Sequence, residues 1–159
     1  MFTKMTTPLY KDYDKRLYLA YGSNLNKEQM AYRCPTARPV GSAMIYGWEL
    51  VFRGVADIVK SKDPNMLLPV GIWEIEAEDE VALDHYEGFP RLYGKEKVAG
   101  IMTYTMNSDG IYAPSTPYFN TILEGYNDFG LDTSWLYDAA GWAGYEQDKV
   151  DNVFGLEIA

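Results

Sequence analysis

The sequence predicts an α+β fold in which a small mixed sheet curls toward a barrel and short helices flank it. Three observations predict this. Segments that alternate like strands dominate the first two thirds of the chain, segments with helical spacing come late, and the connections are short and turn-rich. At 159 residues, 47% of them apolar, the chain is long enough for one domain with a substantial core, and no low-complexity linker or internal repeat divides it.

Residues 1–15 are polar and read as a loose arm ahead of a single domain spanning residues 16–159. The opening "MFTKMTTPLYKDYDKR" lacks the apolar centre of a signal peptide, and no stretch reaches membrane-spanning length. A cytoplasmic domain with no membrane partner is the expectation. "RLYLAY", residues 16–21, reads as a buried first strand, and residues 26–33 as a short helix halted before Pro35. "SAMIYGWELVFRG", residues 42–54, alternates as one long strand bent at Gly47, "KSKDPN" is a loop, and residues 67–76 form a further strand.

"AEDEVALDHYEG" is a short helix with acids in its first turn, where the dipole favours them, and Gly88 as its stop. "GKEKVAGIMTYTMN" supplies one or two strands, with a tight hairpin at Ala99-Gly100 as the two-strand option. Residues 117–130 then place Phe119, Ile122, Leu123, Tyr126 and Phe129 on one helical face, and a last helix covers roughly residues 133–144.

Charge and composition exclude several function classes. A net charge of -9 with scattered Lys and Arg argues against a nucleic-acid partner, which needs a basic face. The single cysteine, Cys34, allows no intramolecular disulfide, and with the single histidine, His85, the standard Cys/His zinc arrangements fail. A carboxylate-only Mg or Ca site stays open on composition, although no EF-hand spacing occurs. Fourteen tyrosines and four tryptophans can bury large area while keeping polar tips near a pocket.

Three segments are candidate sites. Tyr21-Gly22-Ser23-Asn24-Leu25 joins a strand to a helix through a glycine, an arrangement that can turn several backbone N–H groups toward an anion. It is equally an ordinary connection capped by Ser23 or Asn24. Glu87, in "LDHYEGFPRLY", closes a helix among Tyr86, Phe89, Pro90 and Tyr93. At the negative helix end and among aromatics its pKa should rise, making it a better base near neutrality, unless it simply points into solvent. His85 is unique, but a lone histidine is more often a surface or structural residue. Tyr118, at the start of a helix, can aim its hydroxyl at a pocket or pack at a rim.

The combination is more specific than its parts. "YGSNL" at the end of the first strand, then "ADIV", "GIWEI", "LDHYEGFPRLY", "TYTM" and "PSTPYFNTILEGYNDFGLD" closely resembles the γ-glutamylcyclotransferase-like superfamily, which includes AIG2-like proteins and γ-glutamylamine cyclotransferases. The resemblance runs from about residue 16 to about residue 140. It implies a small mixed barrel and a cofactor-free intramolecular aminolysis of a small γ-glutamyl substrate, which releases 5-oxoproline and an amine or amino acid. It implies that Tyr21, Gly22, Ser23, Asn24 and Leu25 form the substrate loop and that Glu87 is the general acid/base. Two departures bear on specificity: "GKEKVAGIMTYTMN" is short where many relatives have longer strands, and Trp135 stands where one branch has a tyrosine, leaving Tyr118 as the better-placed phenol. The amine half of the substrate would be read by Trp48, Trp73, Tyr93 or Trp135. Two other functions stay open: a module that sequesters a small anionic metabolite in the same cavity, and an enzyme acting on γ-glutamyl-ε-lysine remnants.

Overall fold

A computed structural model describes residues 14–146; of the predicted arm, residues 1–13 lie outside the described residues, as do residues 147–159 at the end of the predicted domain. Strand β1 (Arg16–Ala20) is central, antiparallel to β5 (Leu67–Ile75) on one side and parallel to β7 (Ile101–Met106) on the other. With β2 (Arg38–Tyr46) beyond β5 and β6 (Tyr93–Val98) beyond β7, the order of this five-stranded mixed sheet is β2-β5-β1-β7-β6. The inner strands are the apolar ones: Leu19, Ala20, Leu68, Val70 and Ile75 are fully buried. The predicted hairpin is present, with Val98 paired to Ile101 and both turn residues, Ala99 and Gly100, at positive φ.

The expected long strand over residues 42–54 is two strands. Gly47, at φ +79°, takes a left-handed corner, donates to the Met66 carbonyl at 2.8 Å and accepts from the Ser61 N–H at 2.9 Å. There β2 ends, and β3 (Trp48–Arg53) starts a separate hairpin with β4 (Val55–Lys60), a strand the alternation did not reveal. This hairpin leans on β5 and β7 and curls the sheet toward closure. Buried Asp57 fixes it, accepting from Arg53 Nε at 2.8 Å and from the Met106 N–H at 3.0 Å.

Among the described residues four helices and a short 3-10 turn (Ser23–Leu25) complete the fold. Helix α1 (Lys27–Arg33) follows the turn, and α2 (Ala77–Glu87) follows β5 and ends at Gly88 in the left-handed region. Asp79 secures the start of α2, accepting from the Glu76 N–H at 2.9 Å and the Thr36 hydroxyl at 2.6 Å. Further along α2, Glu80 binds Arg16 and Lys95, and Asp84 binds Lys95 and accepts from the Tyr104 hydroxyl at 2.5 Å. These ties hold α2 across β1, β6 and β7, which fixes where its last residue, Glu87, emerges.

Helix α3 (Thr116–Asp128) buries Phe119, Ile122, Gly125 and Tyr126, while Leu123 and Phe129 are partly covered. Helix α4 (Ser134–Trp142) buries Leu136, Ala139 and Ala140. Two glycines let the 3-10 turn be gripped closely. A Cβ at Gly125 would lie 2.7 Å from the backbone of Leu25 and Asn26, and one at Gly71 would lie 2.7 Å from Leu25 Cδ2. Leu25 is thus a peg between β5 and α3 rather than a group facing a ligand. Among the described residues no helix is long and apolar enough to cross a membrane.

Candidate active site

The turn and the end of α2 meet at a cavity of about 250 Å³. It is lined by Tyr21, Gly22, Ser23, Asn24, Glu87 and Tyr118, together with Tyr18, Val55, Ala56, Tyr86, Leu92, Tyr93, Tyr104 and Met106. Of the predicted substrate loop only Leu25 is missing from these walls, and the predicted acid/base Glu87 and the phenol Tyr118 are both among them.

The turn is held open by its surroundings. Neither Ser23 nor Asn24 caps the helix: Asn26 does, its Oδ1 accepting from the Gln29 N–H at 3.0 Å. Asn24 is thereby released for other partners. Its carbonyl accepts from the Trp73 indole at 2.8 Å, and its Nδ2 donates to the Tyr18 hydroxyl at 2.8 Å and to Glu87 Oε1 at 3.3 Å. The first N–H bonded within the 3-10 turn is that of Leu25, to the Gly22 carbonyl at 2.9 Å, so the N–H groups of Ser23 and Asn24 precede it without partners in the turn. Gly22 matters for closeness: a Cβ there would sit 3.0 Å from Ala56 Cβ and 3.6 Å from the Tyr118 hydroxyl.

Aromatic hydroxyls brace the remaining walls. Tyr21 donates to the Tyr104 carbonyl at 2.6 Å, Tyr93 to the Ala56 carbonyl at 3.3 Å, and Tyr118 accepts from the Ala56 N–H at 3.0 Å. Burial keeps Tyr18, Tyr21, Tyr93 and Tyr118 well above the usual phenol range. They are therefore neutral hydrogen-bonding groups at ordinary pH.

Glu87 is the carboxylate of this cavity. Burial raises its pKa to about 7, against the opposing pull of the Arg33 guanidinium and the Asn24 hydrogen bond. A half-neutralised carboxyl at pH 7, beside the Asn24 amide and neutral phenols, can move a proton to and from a bound amine. His85, next in line on α2, is exposed. Cys34 is buried, its thiol pushed up to about 12 by desolvation, and so is structural rather than reactive. No cluster of three or more potential metal ligands occurs among the described residues.

The aromatic residues expected to read the far end of a ligand divide. Tyr93 lines the cavity. Trp73 instead holds the Asn24 carbonyl from beneath, Trp48 lies against Lys60, and Trp135 lines a separate small hollow with Trp142 and Pro69. Phe89 lies against Tyr104 and Lys95 outside the walls. Sequence reasoning missed Tyr18, Tyr104 and Met106 in the walls, and Arg33, which donates to the Asn24 side chain from outside them. Period-two alternation in "MTYTM" puts Tyr104 and Met106 on one face and could have found that pair. Arg33 gave no such signal, since Asn24 of the turn and Tyr86 of α2 reach it only in the folded chain.

The family model described as "Gamma-glutamyl cyclotransferase, AIG2-like" matches residues 18–118. Among solved structures, one titled "Gamma-glutamyl cyclotransferase" superposes with a TM-score of 0.69 at 24% identity, covering 79% of this chain and 86% of that one. An uncharacterized human protein gives a TM-score of 0.70 at 24% identity over the same shares of the two chains. YkqA from Bacillus subtilis gives 0.66 at 18% identity, covering 86% of this chain and 56% of its own. At these identities the structural likenesses concern the fold. No curated protein matches the chain significantly.

Proposed function

The chain belongs to the gamma-glutamyl cyclotransferase, AIG2-like family, and from the cavity it carries we propose that it cyclises a γ-glutamyl amide to 5-oxoproline with Glu87 as general acid/base. The observation that carries this reading is the position of Glu87: a half-buried carboxyl whose pKa desolvation raises to about 7, sharing one cavity with the turn Gly22-Ser23-Asn24.

The chemistry follows from those groups. The α-amine of a γ-glutamyl compound is mostly an ammonium at neutral pH and cannot attack. Glu87 takes a proton from it, and the amine nitrogen then bonds to its own γ-carbonyl carbon, placing negative charge on the carbonyl oxygen. The N–H groups of Ser23 and Asn24 suit that oxygen or the substrate α-carboxylate. The bond to the leaving nitrogen breaks as Glu87 returns the first proton to it, and the ring nitrogen sheds its second proton. Of the three ammonium protons one stays on the neutral lactam and two depart with the amine, which leaves as its ammonium. Folding the glutamyl chain so that amine meets carbonyl is a proximity effect, and intramolecular geometry of this kind lowers barriers by several kcal/mol, up to roughly 7–11. Tyr118 and Tyr93 close the walls around the curled substrate as neutral phenols.

The test is to incubate the protein with γ-glutamyl amines, γ-glutamyl amino acids and γ-glutamyl-ε-lysine and to measure 5-oxoproline. Product formation that falls about 10²- to 10⁴-fold in Glu87→Gln supports the reading. Product made equally well by Glu87→Gln overturns the role of Glu87. Tight binding of these compounds with no product would make the cavity a sequestering site instead.

A further inference from the structure

Asn24 is the only neutral side chain that touches Glu87 by a hydrogen bond among the described contacts, and its own orientation is set by Arg33. Arg33 Nη1 donates to Asn24 Oδ1 at 2.7 Å. Its Nη2 donates to Gln29 Oε1 at 2.7 Å, one helical turn back, and to the Tyr86 hydroxyl at 2.6 Å, while the guanidinium lies 3.7 Å over the Tyr86 ring. Arg33 is thus clamped from its own helix and from the residue adjoining Glu87. An amide flips readily when both ends meet groups that donate and accept alike. A guanidinium only donates, so a flipped Asn24 would turn its NH₂ against the Arg33 donors. Only one orientation survives, and in it Nδ2 reaches Tyr18 and Glu87 together.

Resting on the cyclotransferase reading above, we propose that Arg33 is a positioning residue of the site: it locks the Asn24 amide so that Glu87 is held by one oxygen and presents the other to the substrate amine. Arg33 does not line the cavity and acts through Asn24. Among the described residues the groups that act on Glu87 through their charge or titration are Tyr18 of β1, Tyr21 just after it, Tyr93 of β6, Tyr118 of α3 and Arg33 of α1. Burial keeps the four tyrosines neutral, so Arg33 is the charged member of that set. It favours the carboxylate form of Glu87, opposing the burial that favours the acid form.

The experiment compares wild type with Arg33→Met, Arg33→Lys, Asn24→Ala and the double variant Arg33→Met/Asn24→Ala, using the best γ-glutamyl compound found in the panel. Arg33→Met should lower kcat on the order of 10- to 100-fold, as expected for a reacting group displaced by about 1 Å, with KM changed less than about threefold. Arg33→Lys, which keeps a donor and the charge, should fall between. Because the effect passes through Asn24, adding Arg33→Met to Asn24→Ala should change kcat by less than about twofold. A direct ¹³C carboxyl NMR titration of Glu87 should show a midpoint moved to higher pH in Arg33→Met and restored in part by Arg33→Lys. An unchanged midpoint, or full additivity of the two substitutions in kcat, overturns the proposal. If the panel yields no 5-oxoproline the cyclotransferase reading fails by itself, and the titration still decides whether Arg33 governs Glu87. Should Arg33→Met fail to fold, the titration and kinetics of Arg33→Lys and Asn24→Ala carry the test: a wild-type midpoint and wild-type kcat in both would overturn it.

Discussion

Replacing Glu87 by glutamine should make the protein more stable at alkaline pH while removing its activity. In the folded chain burial lifts the Glu87 carboxyl from 4.5 to about 7. At about 1.4 kcal/mol for each tenfold change in proton affinity, that difference corresponds to about 3 kcal/mol. The sign follows from which state holds the proton. Between pH 4.5 and about 7 the folded protein keeps a proton that the unfolded chain has lost, so stability falls as pH rises through that window and is level above it. A glutamine at this position cannot ionise, yet its Oε1 can still accept from Asn24 Nδ2. The difference in stability between Glu87→Gln and wild type should therefore grow by about 3 kcal/mol from pH 4.5 to pH 8, or on the order of 6–12 °C in Tm for a domain of this size. The assay is urea unfolding or calorimetry of both proteins across that range. Parallel stability curves for the two proteins would refute the half-buried, weakly acidic Glu87 on which the proposed proton transfer depends.

The remaining predictions follow from other parts of the same frame. If Glu87 acts as the base, kcat/KM should fall with slope one as pH drops below about 7, and a profile flat to pH 5 would contradict the assignment. Gly125→Ala drives a Cβ to within 2.7 Å of the Leu25 and Asn26 backbone and should destabilise by about 1–3 kcal/mol or more, with activity lost beyond that because the turn moves; thermal melts and residual turnover at low temperature check it. Among the described residues the buried Tyr126 hydroxyl has no hydrogen-bond partner, so Tyr126→Phe should stabilise by about 1 kcal/mol and leave turnover unchanged, as urea titration and the 5-oxoproline assay would report.

The sequence disclosed elements whose cause is local and left obscure those whose cause is tertiary. The first strand, the α2 stop at Gly88 and the Ala99-Gly100 hairpin follow from alternation and from residues suited to left-handed backbone, and all three are present. The corner at Gly47 was legible as a bend but not as a change of sheet, because what tears β3 from β2 is pairing with β4, from Arg53 with Val55 out to Trp48 with Lys60. Glu87 and the turn were legible as a pair only by their resemblance to known motifs. Nothing in "YGSNL" says that Asn26 rather than Asn24 caps the helix, although that exchange is what gives Asn24 to Glu87. Arg33 was illegible for a related reason: on its own helix it is merely a last-turn cation, favourable to the dipole. Its use appears only when α1 and α2 are brought together.

The same burial that weakens Glu87 as an acid makes the site demanding to build. A carboxyl with a pKa near 7 needs apolar walls, yet an anion in such walls needs something to hold it whenever it is charged. The fold meets both needs by separating them. Tyr18, Tyr93, Leu92 and Met106 supply low polarity within the cavity, while the compensating cation, Arg33, is kept one amide away from it. Placed directly on Glu87, a guanidinium would draw the carboxyl toward the ordinary acid range and repel the substrate ammonium. Routed through Asn24, it orients the carboxylate by a neutral N–H and weakens, without cancelling, the effect of burial. That arrangement accounts for the polar junction at the end of β1: Gly22 gives closeness to Ala56, the Ser23 and Asn24 backbone offers donors, and the Asn24 side chain carries the influence of a charge the substrate does not meet.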